Sequence, residues 1–336
     1  MLRRMMAAVL VGCAAVGTAC SSGEPSDELM VSDNPVAASA ARSPASTVPP
    51  AGTVSALPGV PTSLVVDGEH RVLAVAVADP PAVLLYGFDG ALSKDPRVVE
   101  LPGPASSLAL ARPGGPLLAA VDTGELVRVA LPGGDTQTAA VDGEPVSAAA
   151  FGDRTLVAMR DRKAVAVVGG DRVQRMISGG LLSADQVLST GDGAVVLDRL
   201  RNAVFELDVP DGSVGQALRA GEGSTNAVTD RFGRVLVADT RGGALLAFSL
   251  DPLLMRQRYP VPGAPYALAY DAERDIVWVT LTETNEVVGF DVAGEEPVEK
   301  HRFPTVRQPN AVAVDPISGR VVVASATGKG MQVIAP

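Results

Sequence analysis

The chain has 336 residues, 47% hydrophobic but only 4% aromatic, with 35 Gly and 26 Pro, so any large core must be built from Val, Leu and Ala. Two Cys and two His leave no room for a disulfide framework or a Cys/His zinc centre. A net charge of −10 argues against a nucleic-acid partner, because dedicated binders carry a basic surplus.

The chain opens on a short basic stretch, Met1-Leu2-Arg3-Arg4, followed by an uncharged apolar run from Met5 to Ala19. That run falls short of the roughly 20 residues a spanning helix needs and ends in small residues, as a secretory signal does. The ending Val16-Gly17-Thr18-Ala19-Cys20-Ser21-Ser22-Gly23 resembles a bacterial lipobox, in which the Cys is diacylated and becomes the new amino terminus. Gly17 stands where that motif usually has Leu. Leu10-Val11-Gly12-Cys13 has the Leu but leaves a very short apolar region. The reading is therefore a lipoprotein signal over residues 1–19 with Cys20 acylated, Cys13 being the alternative. It places the molecule on the outer face of the cell membrane with a membrane lipid as its first partner.

From Ser21 to about Pro50 the chain is Ser, Ala and Pro with few large apolar groups. Such a composition cannot offset the entropy of ordering, so residues 20–50 read as a flexible tether.

Beyond it the chain repeats itself about every 40 residues. Thr62–Val75, Ser147–Ala158, Asn226–Asp239, Tyr266–Val279 and Asn310–Ala324 each read as a strand, a polar hairpin turn carrying Asp, and a second apolar strand. Ser107–Leu110 and Gln186–Ser189 are degenerate copies. Third strands follow, as in Ala203–Asp208, Gly243–Phe248 and Glu286–Asp291, and then fourth strands such as Val298–Phe303. Four antiparallel strands per unit is the signature of a propeller blade. Units starting near Thr62, Ser106, Val146, Asp185, Asn226, Tyr266 and Asn310 predict an all-β, seven-bladed β-propeller over residues 51–336. The last unit ends after three strands, so Thr53–Leu57 is expected to supply its fourth and close the ring. No stripe of helical period excludes a helical stack; a β-sandwich is the structural alternative.

Val235-Leu236-Val237-Ala238-Asp239-Thr240-Arg241-Gly242-Gly243 is similar to the repeat consensus of NHL and YVTN propellers. Gln216–Gly223, the Asp239–Gly243 turn, Asp251-Pro252-Leu253, Pro265-Tyr266 and Pro297–Lys300 resemble the LppL-like lipoproteins of mycobacteria, closely over about residues 216–315 and loosely upstream. The resemblance implies a membrane-anchored envelope propeller and brings no catalytic residues with it.

Loops between second and third strands, and between successive blades, gather on one propeller face around the central channel. There Arg160, Arg162, Lys163, Arg199, Arg201 and Arg241 would form a basic rim, with Tyr266 and Asn310 beside it, suited to a protein partner or a small anionic ligand. Alternatively each Arg pairs with the Asp of its own turn (Asp161, Asp198, Asp239) and only pins the loop. His70 and His301 fall in a hairpin and an outer strand, away from any nucleophile. Gly-x-Ser-x-Gly, His-Glu-x-x-His and P-loop motifs are absent. The expectation is a non-catalytic binding or scaffolding module without a cofactor. The enzyme alternative is a metal-dependent propeller lactonase or lyase, with Glu222, Asn226, Asp239, Asn285 and Asn310 offering oxygen ligands to Ca²⁺ or Mg²⁺ in the channel.

Overall fold

A computed structural model describes residues 29, 33–191 and 193–336, and the signal segment with Cys13 and Cys20 lies outside them. Within the described residues, 28 strands form seven four-stranded antiparallel sheets. In six of them the strands follow chain order from the innermost outward. The innermost strands are Pro61–Asp67, Ala105–Leu110, Pro145–Phe151, Gln186–Thr190, Ser224–Thr229, Pro265–Asp271 and Pro309–Val314, in blades 1 to 7. Their starts fall within two residues of those read from the repeat. The molecule is a seven-bladed β-propeller.

Burial follows position within the blade. Second and third strands are covered on both faces by neighbouring blades, so they read as unbroken apolar runs: Leu117–Val121, Ala164–Gly169 and Val235–Asp239 are almost wholly buried. Outer strands are wet, as in Leu254–Pro260, and alternate accordingly. The core is consequently divided into seven inter-blade clusters instead of one central mass. The single Trp illustrates the packing. Trp278 stacks on His301 at 5.4 Å, and Gly289 makes room, since a Cβ there would lie 2.9 Å from the Trp ring. His301 is thus a packing residue on an outer strand.

Closure uses the amino-terminal strand. Thr53–Ser55 pairs antiparallel with the last strand of blade 7, Thr53 opposite Val333 and Ser55 opposite Met331. Leu57, expected within this strand, lies beyond it and packs on the cluster between blades 7 and 1. Buried Gln332 locks the seam: its amide donates to Ala51 O at 2.6 Å and Pro304 O at 2.9 Å, and accepts from Val306 N at 2.9 Å.

One local irregularity recurs. In six blades the innermost strand shifts register at its channel-mouth end, for example between Pro61 and Ser63, Ser224 and Ala227, and Pro309 and Ala311. Such bulges re-aim a side chain out of the ladder. Blade 4 lacks one, its first strand pairing continuously from Gln186 opposite Leu197 to Thr190 opposite Gly193.

Candidate functional site

The innermost strands enclose a central channel of about 520 Å³. Its charged lining consists of Arg160, Asp185 and Arg199; Tyr266, Asn226 and Asn310 complete the polar mouth. Tyr266, Asn226 and Asn310 stand at or beside the bulges, which explains why they turn toward the channel. Arg160 and Arg199 reach it by a different route. Each follows the last paired residue of a second strand, a position held by Thr240 in blade 5 and Thr282 in blade 6.

The channel wall is stitched by polar side chains that replace missing ladder bonds between blades. Gln186 donates to Ala227 O at 2.7 Å and accepts from Ala227 N at 2.8 Å. Ser63 accepts from Leu108 N at 3.0 Å, and Asn226 donates to Tyr266 O at 3.1 Å. Farther down, a second cavity of about 640 Å³ reaches Tyr270. Burial, and then the 2.7 Å hydrogen bond to Asp275, push this phenol's pKa up, so it stays neutral.

The rim arginines do not share one role. Arg160 pairs with Asp185 of the next blade at 2.9 Å, and more distantly with Glu144 at 3.7 Å. Asp185 also accepts from Arg199 N at 2.9 Å and Ser183 Oγ at 2.5 Å, and sequence alone marked it only as a blade start. Arg162 holds Asp142 at 2.7 Å and lies 3.7 Å from Asp161. Lys163 takes the left-handed corner of its turn and is exposed. Arg162, Arg201 and Arg241 lie outside the channel lining.

The turn carboxylates act on backbone instead of on arginine. Fully buried Asp198 accepts from Leu182 N at 2.7 Å and Arg201 N at 2.8 Å. Fully buried Asp239 accepts from Gly223 N at 2.8 Å, Gly242 N at 3.0 Å and Glu222 N at 3.1 Å. Pairing of each Arg with its own-turn Asp therefore holds at most for Arg162.

Of the five candidate metal ligands, only Asn226 and Asn310 line the channel. Asp239 is saturated by amides, Glu222 is exposed, and Asn285 sits at a left-handed corner (φ 57°) accepting from Gln308 N at 3.0 Å. Asn310 accepts from the Gln308 amide at 3.0 Å. Among the described residues, no three His, Cys, Asp or Glu side chains form a metal cluster.

A feature composition did not anticipate lies across the mouth. Residues 36–44, read above as part of a flexible tether, are docked on the rim. Arg241 donates to Val36 O at 3.4 Å, Arg199 to the Ala38 carbonyl, Gln308 to Ala41 O at 2.8 Å, Arg307 to Ser43 O at 3.1 Å and Asn285 to Pro44 O at 3.1 Å. In return Ala41 N donates to Thr282 Oγ1 and Ser43 N to Gln308 Oε1, both at 3.0 Å. Only Ala38 and Ser43 of this stretch are buried. The signal for docking resides in the receiving loops, whose Gln308, Thr282 and Asn285 present amide and hydroxyl groups to the segment, not in the segment's own bland composition.

Solved structures share this architecture. A chain of the mitotic checkpoint complex superposes with a TM-score of 0.72 at 11% identity, covering 90% of this chain and 97% of that one. Hydrazine synthase of Kuenenia stuttgartiensis gives 0.69 at 14%, covering 84% and 97%. The WD40 β-propeller domain of Doa1 gives 0.69 at 12%, covering 84% and 95%. What they share is the propeller. At these identities the likeness concerns fold alone, and no family model and no curated protein matches the sequence.

Proposed function

We propose that this chain is a non-catalytic binding or scaffolding propeller of the LppL-like lipoprotein kind, held on the outer face of the cell membrane by a diacyl lipid on Cys20. The observation that carries the binding role is the channel-mouth face. It is a polar concavity whose arginines and amides already receive peptide carbonyls, and the propeller supports such a face as a rigid ring. Arg160, Arg199, Tyr266 and Asn310 are the residues a protein or small anionic partner would meet there.

The test is crosslinking and capture of the intact lipoprotein from its own membranes, side by side with an Arg160→Ala/Tyr266→Ala chain. A defined adduct with the parent chain that disappears with the double substitution supports the reading. Identical adduct patterns from the two chains would sink the mouth as the binding face.

A further inference from the structure

We infer that the channel-mouth face is a groove for an extended peptide, that residues 36–44 fill it in cis, and that its external partner is an extended segment made mostly of small residues, as that stretch is. The inference rests on the reading of this face as the binding face and names the chemistry of its ligand.

Three observations carry it. First, the contacts address main chain. Val36, Ala38, Ala41, Ser43 and Pro44 all present carbonyls to side-chain donors from the rim, while Ala41 and Ser43 also donate their own N–H groups. Recognition of this kind reads an extended backbone and is nearly blind to sequence.

Second, selectivity is confined to two small pockets. Ala38 sits over Gly223, where an added Cβ would lie 2.9 Å from the Ala38 Cβ. Ser43 inserts its hydroxyl, donating to Thr282 O at 2.5 Å and accepting from Gln308 N at 3.2 Å. A fitting peptide thus needs a small residue at one position and Ser five residues later, with no large anchor between.

Third, the cis segment is lightly held. Val36 is 74% exposed, and no large apolar side chain of residues 36–44 is buried. A segment attached by backbone bonds at the edge of solvent exchanges readily with a competitor making the same bonds.

The probe is a fluorescein-labelled synthetic peptide of residues 34–46, added to the full-length chain in detergent and followed by anisotropy. Ala38→Trp/Ser43→Trp, which alters only the segment, should raise apparent affinity at least tenfold over the parent chain, and adding Gln308→Ala should reverse that gain. Equal affinity for the parent and undocked chains, or binding insensitive to Gln308→Ala, overturns the inference. A second measurement is independent of the Trp variants: a specific protease site placed between Ser46 and Thr47 is cut, and the released segment is chased with excess unlabelled peptide. Exchange into solution supports a displaceable occupant, and retention after cleavage overturns it. Both assays work on purified chain, so a failed membrane capture would count against the envelope role while leaving the groove standing.

Discussion

At the scale of single residues, buried carboxylates do the work usually given to turn sequence. Asp239 collects amide donors from two separate loops, joining an inter-blade connection to the turn between second and third strands. Removing it orphans the buried Gly223 N–H and two partly buried ones, each costing up to about 1–3 kcal/mol. Asp239→Ala should therefore lower stability by about 3 kcal/mol or more in urea unfolding, and Asp239→Asn by clearly less, since one oxygen survives. Asp67 offers a pH-dependent counterpart. Burial opposes its charge, but hydrogen bonds from Gly114 N, the His70 ring and His70 N outweigh that and hold its pKa below the usual carboxylate value. A depressed pKa gives stability that is present above the unfolded-state value near 3.9 and disappears as pH falls through the folded one. Asp67→Asn should thus melt below the parent chain at pH 7, with the gap closing as pH falls below the ordinary carboxylate range. These roles were only partly legible. Sequence singled out Asp161, Asp198 and Asp239 as turn residues, yet it offered arginine as their partner, because a one-dimensional string shows neighbouring charges and conceals amides from another loop.

At the scale of elements, the repeat was readable because each blade is punctuated: Gly and Pro mark the connections, and an Asp hairpin separates two apolar strands. Bulges at the channel mouth were not readable. A single extra residue leaves the alternation of a short strand almost unchanged, yet it decides that Tyr266 and Asn310 face the channel. Residues 36–44 were missed for an energetic reason. Their hydrogen bonds, worth about 1 kcal/mol net each, are set against about 1–2 kcal/mol per residue of lost backbone freedom, so composition alone predicts no order. The closing strand is another matter. A chain starting at Thr47 keeps Ala51, Thr53 and Ser55 and should melt within a few degrees of one starting at residue 33. A chain starting at Pro61 loses the pairing to Met331–Val333 and both Gln332 and Pro304 contacts with Ala51. With about 1 kcal/mol lost per bond, differential scanning calorimetry should show a fall of roughly 10 °C, or aggregation through the bared edge. Equal melting points would mean the ring does not depend on that strand.

At the scale of the whole molecule, a strongly acidic particle is reconciled with a local basic rim because the arginines are apportioned among fixed acceptors. The proposed anchoring is likewise a property of the whole. At about 0.8 kcal/mol per buried CH₂, two acyl chains on Cys20 would make attachment effectively permanent, so on that proposal Cys20→Ala should move the protein from the membrane pellet to the supernatant and abolish palmitate labelling. Retention in the pellet with label would transfer the lipid to Cys13. The seam of blade 7 bears on how such a molecule comes into being. Its outer strand, Thr53–Ser55, precedes all the other strands of the propeller, whereas its partner, Met331–Val333, lies in the last of them. Loop-closure entropy must be met before that contact returns anything. Six blades are built from strands consecutive in sequence, whereas the seventh joins strands from the two ends of the propeller sequence. Closure of the circle is therefore the contact of greatest sequence separation, and the blades can form as a row before that one pairing makes them a ring.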